Sequence, residues 1–238
     1  MIGRTVETSP QLFARVGGAL YLILIVLGSY LQIVMNKVVV SGDAEATAAN
    51  LTALESMWRW GIASECIALV CVTGLAMIYF VLLRPVSREL NLLATFLRLV
   101  GIAIEAIATL SLVTALFPLG NTAYLKAFTP EQLHTMAYLA IRSQGNDYAL
   151  ALLFFGFTFL FHGYLISKSG YLPKVLGMLI QVAGVGYLTN TLALYLAPNF
   201  QARIFPAILV PAFVAEASLC LWLLFKGVNV EKWRAAAS

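Results

Sequence analysis

Six runs of apolar residues stand out along the chain, roughly 16–35, 61–83, 97–118, 148–167, 175–197 and 206–226. A bilayer core about 30 Å thick is crossed by a helix of about 20 such residues. Each run is long enough. The pattern therefore predicts an all-α polytopic membrane protein, with six transmembrane helices in one domain over residues 1–238. The first run is longer than the apolar core of a signal peptide, and no small-x-small cleavage site follows Met35, so it is read as a retained span.

The polar segments between the runs set the topology. Residues 84–91 and 168–174 are short turns, whereas 36–60 and 119–147 are long loops. Gly42-Asp43 reads as a helix start with Asp43 as N-cap. Leu51, Leu54 and Trp58 continue it as an apolar stripe. This predicts a short helix lying flat on the outer leaflet, with Trp58 and Trp60 at headgroup depth. Thr129-Pro130-Glu131-Gln132 is a capping box with Pro at its first helical position. Gly145-Asn146-Asp147 is expected to end that helix before the fourth span.

Cations orient the bundle. Arg4, Arg15, Arg84, Arg88, Lys168, Lys174, Lys226, Lys232 and Arg234 fall on one side; Lys37, Arg59, Lys126, Arg142 and Arg203 fall on the other. The richer side, with both termini, is assigned to the cytoplasm. The chain also echoes itself. Arg15-Val16-Gly17-Gly18, Arg98-Leu99-Val100-Gly101 and Lys174-Val175-Leu176-Gly177 each open an odd-numbered span with a cation and a glycine three residues on. Three tandem helical hairpins would produce that pattern.

Composition agrees with the membrane assignment. Charged residues make up 11% of the chain, against about 25% for a soluble domain, and the mean hydropathy is +0.88. The net charge of +4 is scattered, with no basic run, which excludes a nucleic-acid partner. Cys66, Cys71 and Cys220 lie in apolar runs without C-x-x-C spacing, as reduced packing residues. No hydrolase, zinc-peptidase or phosphate-loop motif occurs, and no metal or cofactor is expected.

Chemistry is left to the polar residues within the spans. A carboxylate at mid-membrane costs about 2.5–3.5 kcal/mol on insertion scales, so it turns to the bundle interior or to water. Arg98 and Glu105 share a helix face, about 10 Å apart along the axis. Depths reckoned from the flanking cations put Glu105, Gln181, Glu216 and His162 in one slab at the inner half or middle of the bilayer. Glu65 and Asn190 fall near the outer interface. Plainer readings exist for each. Arg98 snorkels to the headgroups, Glu105 and Glu216 make single interhelical bonds, Gln181 serves close packing between Gly177 and Gly184, and His162 is a satisfied histidine. The functional reading takes Glu105, Gln181, Glu216, His162, Arg98 and Glu65 as ligand-binding or proton-carrying candidates. No residue is assigned a catalytic role.

SGDAEATAANL at 41–51, LLRPVSREL at 82–90, SGYLPKVLG at 169–177 and PAFVAEASLCLWLLFKGV ending at 228 resemble the bacterial membrane-protein family catalogued as domain of unknown function 4386. The resemblance implies a six-helix protein of the bacterial inner membrane and supplies no activity. The first-ranked function is binding or transport of a small amphipathic molecule, lipid or proton-coupled solute within the bundle, in contact with membrane lipids. The alternatives are an accessory or scaffold protein and an intramembrane lipid-modifying enzyme using Glu105, Glu216 and His162. Whether the chain is an enzyme, and its oligomeric state, are left open by the sequence.

Overall fold

The computed structural model describes residues 9–238, and all regular structure among them is helical. Arg4 lies outside the described residues. The helices are α1 Pro10–Val38, α2 Ala44–Ala53, α3 Glu55–Leu83, α4 Arg88–Thr114, α5 Pro130–Ser169, α6 Lys174–Leu196, α7 Pro198–Ile204, α8 Val210–Phe225 and α9 Val230–Ala237. Six are long and apolar enough to cross a membrane: α1, α3, α4, α5, α6, and α8 with the short turn before it. The protein is a multi-pass membrane protein.

The six spans close into a ring. Each packs on the spans before and after it, and α8 returns to α1. The start of α1, the end of α9 and the two short turns lie at one end, the terminal end; the long connections lie at the other, the loop end.

The terminal end is sealed by packing and by side chains that bond helix ends. Around Leu75, Leu82, Leu165, Ile166, Ile180, Leu219 and Leu223 lies the largest buried apolar cluster. Small residues let the backbones approach. A Cβ on Gly18 would meet the backbone of Leu224, and one on Gly177 would meet Gly163 and Ser167. Tyr171 and Trp233 both donate to the carbonyl of Leu82, at 2.7 and 2.9 Å. This carbonyl is in the last turn of α3, where helical partners run out. Gln11 bridges from α1 to the chain after α8, donating to the Lys226 carbonyl and accepting from the Val228 amide, each at 3.0 Å.

Three local expectations need correction. The stripe Leu51–Leu54–Trp58 is not one helix on the membrane surface. α2 stops at Ala53 and α3 starts at Glu55, with Leu54 (φ −110°, ψ 23°) at the break. Leu51 and Trp58 then turn inward together, into a cluster with Val34, Leu112 and Ile141. Trp58 donates its indole N–H to the Leu112 carbonyl at 3.0 Å; Trp60 alone of the two tryptophans is exposed. Second, Gly145-Asn146-Asp147 does not end a helix. α5 runs unbroken for 40 residues, about 60 Å, twice the bilayer core. Gly145 keeps a helical φ, unlike Gly42, Gly170 and Gly227, and Asp147 is held by Ser111 at 3.0 Å. Its extra length stands beyond the bilayer at the loop end, against α2. Third, α4 begins at Arg88, capped by Ser87, not near residue 97. That moves Arg98 about 15 Å into the helix.

The N-cap of Asp43 on Ala46 and the Thr129–Gln132 capping box are both present.

Candidate ligand-binding cavity

The terminal half is packed throughout, whereas the loop half holds a hollow beside its own apolar cluster. A cavity of about 730 Å³ lies inside the ring, lined by residues of all six spans. One ordered water occupies about 30 Å³, and pockets for small molecules run from about 300 to 1,000 Å³. The cavity reaches the loop end, where exposed Gln32, Arg142 and Asn146 form its rim. Its floor is the packed core beneath Tyr21, Phe155 and Phe159.

Polar groups enter the cavity in two tiers. The lower tier holds Arg98 and Glu216, each about 15 Å from the terminal end of its helix. Arg98 is 4% exposed. Its guanidinium carbon stands 5.7 Å from the centre of the Tyr79 ring and 5.8 Å from that of Phe155, and its Nε has no hydrogen-bond partner. Aromatic faces attract a cation, which accounts for its position without neutralising it. Glu216 accepts a hydrogen bond from the Tyr187 hydroxyl, and Tyr21 lines the cavity beside them.

The upper tier holds Glu65 and Glu105. Glu65 is ten residues from the loop end of α3 and Glu105 nine from that of α4, so both lie about 15 Å below that end. They share a level on adjacent helices, with Tyr148 of α5 beside them. Neither carboxyl has a hydrogen bond or ion pair among the described residues; the ion pair there is the surface Arg59–Glu55. On α6, Asn190 accepts from Gln201 at 3.1 Å, tying α7 to the cavity wall.

Of the six candidate residues, Glu65, Arg98, Glu105 and Glu216 line this one cavity, and Gln181 and His162 do not. Gln181 lies below the floor with its side-chain stem against Gly163, in the contact between α5 and α6. The plain reading, close packing, describes it. His162 is buried beneath the floor, its ring 4.9 Å from that of Tyr79, and its Nε2 has no partner. Its neighbour Tyr79 carries Arg98 on its ring face. Arg98 does not snorkel. The common slab is also corrected: Glu105 sits with Glu65 in the upper tier, because the zero of depth on α4 is Arg88 and not Arg98.

Sequence reasoning passes over Tyr21, Tyr148 and Tyr187. Their signal is available there: a tyrosine inside an apolar span needs a partner for its hydroxyl or an opening to face.

The sequence profile of one family, described as Domain of unknown function (DUF4386), matches residues 16–227, from within the second turn of α1 to the end of α8. The chain belongs to the DUF4386 family. Membership covers all the helices that build the cavity and assigns no activity to it. No curated protein and no solved structure matches the chain.

Proposed function

We propose that this DUF4386 protein binds a small amphipathic molecule in the cavity and passes it, or protons with it, between the bilayer and the compartment at the loop end. The carrying observation is the hollow itself. Six apolar helices that could have packed solidly leave about 730 Å³ between them, and Glu65, Arg98, Glu105 and Glu216 line that space. Empty volume and lone buried charge both destabilise a fold, so a ligand that fills and neutralises them is the simplest reason for keeping both.

The cytoplasmic placement of the termini in a bacterial inner membrane is part of the same proposal. It is supported by Arg15, Arg84, Arg88, Lys168, Lys174, Lys226, Lys232 and Arg234 at the terminal end. The cavity then opens away from the cytoplasm. A side path between α1 and α8 suits an amphipathic ligand. The two helices touch at Gly18 and Leu224, whereas nearer the loop end Phe213 of α8, 60% exposed, borders the cavity. A scaffold would need no interior space. A lipid-modifying enzyme of the kind considered calls for Glu105, Glu216 and His162 around one chamber, and His162 lies beneath the floor.

The test is retention of a ligand. Wild-type protein and a variant with the cavity filled, Ala68→Phe, are purified in detergent and compared by native mass spectrometry and by thermal shift against a panel of amphipaths. Ala68 is a buried wall residue on α3. A bound molecule, or a shift, in wild type that the variant loses supports the reading. If wild type retains nothing and no amphipath shifts its melting, the reading fails.

A further inference from the structure

The two tiers of the cavity differ in charge balance. In the lower tier Arg98 and Glu216 are opposite in sign and line the cavity at one level. In the upper tier Glu65 and Glu105 are like in sign and line it at one level on adjacent helices, with Arg98 about 10 Å below Glu105, and no cation stands within ion-pair distance of either carboxylate among the described residues. Arg142, the other cation of the lining, is at the exposed rim, about 13 Å further out along the bundle. Glu65 is 9% exposed, unpartnered, and directed into the cavity. Two carboxylates cannot both stay ionised in an apolar chamber unless a positive group comes between them.

We propose that the upper tier is a cation site, which takes the protonated amine of the amphipathic ligand between Glu65 and Glu105. This rests on the cavity reading above and adds the class of ligand. An organic ammonium suits the site better than a metal ion: among the described residues no group of three His, Cys, Asp or Glu side chains is placed to hold a metal. Tyr148 offers an aromatic face at the same level, and aromatic faces bind ammonium groups. Below, Phe155, Phe159 and Leu152 give the apolar body of the ligand a wall to pack on. The Arg98 end of the chamber repels a second cation, so one ammonium is bound and the tail points toward the floor or out between α1 and α8.

Three probes of matched size decide it: 2-naphthylethylamine, 2-naphthylethanol and 2-naphthylacetate. Each is measured by equilibrium dialysis against phosphatidylcholine nanodiscs with and without the protein. The amine is expected to bind at least about ten-fold more tightly than the alcohol or the acid. The Glu65→Gln/Glu105→Gln double variant is expected to lose about ten-fold for the amine and to change the alcohol by less than about two-fold. Alcohol or acid binding as tightly as the amine overturns the cation site and leaves the cavity reading standing. So does a double variant that keeps full affinity for the amine. No binding of any probe by wild type overturns both. Should the double variant not fold, the wild-type preference among the three probes decides the matter by itself.

Discussion

The two halves of the ring are built from the same six helices and could hardly differ more. At the terminal end glycine faces glycine: Gly163 and Gly177 bring α5 and α6 together, and Gly18 brings α1 onto α8. At the loop end the facing positions carry Glu65, Glu105, Tyr148 and Tyr187, side chains too large or too polar to interdigitate. Small residues close a membrane bundle because lipid gives helices no hydrophobic reason to associate; close van der Waals contact must do it. Bulky polar residues hold the helices apart and leave the space between them. One half is the clamp and the other the chamber, and substitutions should separate them.

The largest effect is expected from the clamp. Gly177→Leu puts a side chain into the backbone of α5 at Gly163 and Ser167, where the backbone cannot swing aside as a flexible side chain would. Overpacking of this kind costs about 1–3 kcal/mol and sometimes more; with backbone as the obstacle, about 3 kcal/mol or greater is expected. The measurement is the yield of monodisperse protein and its melting temperature in detergent. A Gly177→Leu protein as stable as wild type would mean that α5 and α6 are not in close contact, and the division into halves would fall.

Arg98 sits at the boundary and gives the next effect, with the opposite sign. Its guanidinium is buried among Tyr79 and Phe155 and its Nε is unpartnered. Arg98 makes no ion pair, so replacing it with an apolar side chain of similar length removes a desolvation penalty of several kcal/mol, offset by loss of two cation–π contacts of about 0.5–2 kcal/mol each and of the opposite charge it offers Glu216 across the lower tier. Arg98→Met is expected to melt higher than wild type, by about 1–2 kcal/mol of stability in ligand-free protein. A lower melting point would show that the cation holds the floor together. Tyr187→Phe is smaller: it deletes the hydroxyl that donates to Glu216 and should cost about 1 kcal/mol in thermal unfolding. An unchanged melting temperature would mean that this bond adds nothing to the lower tier.

What is readable in the sequence follows the same division. Spans, the Asp43 and Thr129 caps and the small residues of the clamp are local signals, each carried by a few neighbouring residues. The chamber is a matter of depth and facing, which need a zero and a rotation for each helix. Reckoning Glu105 from Arg98 misplaces its depth because that cation marks no membrane boundary; the helix starts at the Ser87 N-cap, ten residues earlier than Leu97. Trp58 reads as a membrane-surface residue because nothing at Leu54 announces a break: no Pro, no Gly, only the pull of the Leu112 carbonyl from another helix. Gln181 shares the register of Glu105 in the threefold echo but not its surroundings. The glycines of that echo diverge too: Gly101 packs on Phe155 of the helix after it, whereas Gly18 and Gly177 pack on the helix before them in the ring. An echo in sequence thus repeats the spans and not the site.

The smallest effect on stability, and the sharpest test of the chamber, is expected at Gly28. Three glycines of α1 look alike in sequence. Gly17 and Gly18 belong to the clamp, and a Cβ on Gly18 would meet the Leu224 backbone; Gly28 has nothing within 4 Å. A large residue at Gly28 therefore displaces no neighbour, and helix propensity changes by less than about 1 kcal/mol in favour of any side chain over glycine. Gly28→Trp should leave the stability within about 0.5 kcal/mol of wild type. The indole would nonetheless project into the loop half of the cavity, which Gly28 lines. If the ligand passes this part of the wall on its way in, its association slows while its final occupancy, set by groups deeper in the chamber, changes little. Stopped-flow binding of 2-naphthylethylamine to nanodisc-embedded protein separates the two quantities. An unchanged association rate would mean that the ligand does not pass Gly28 on its way to the chamber.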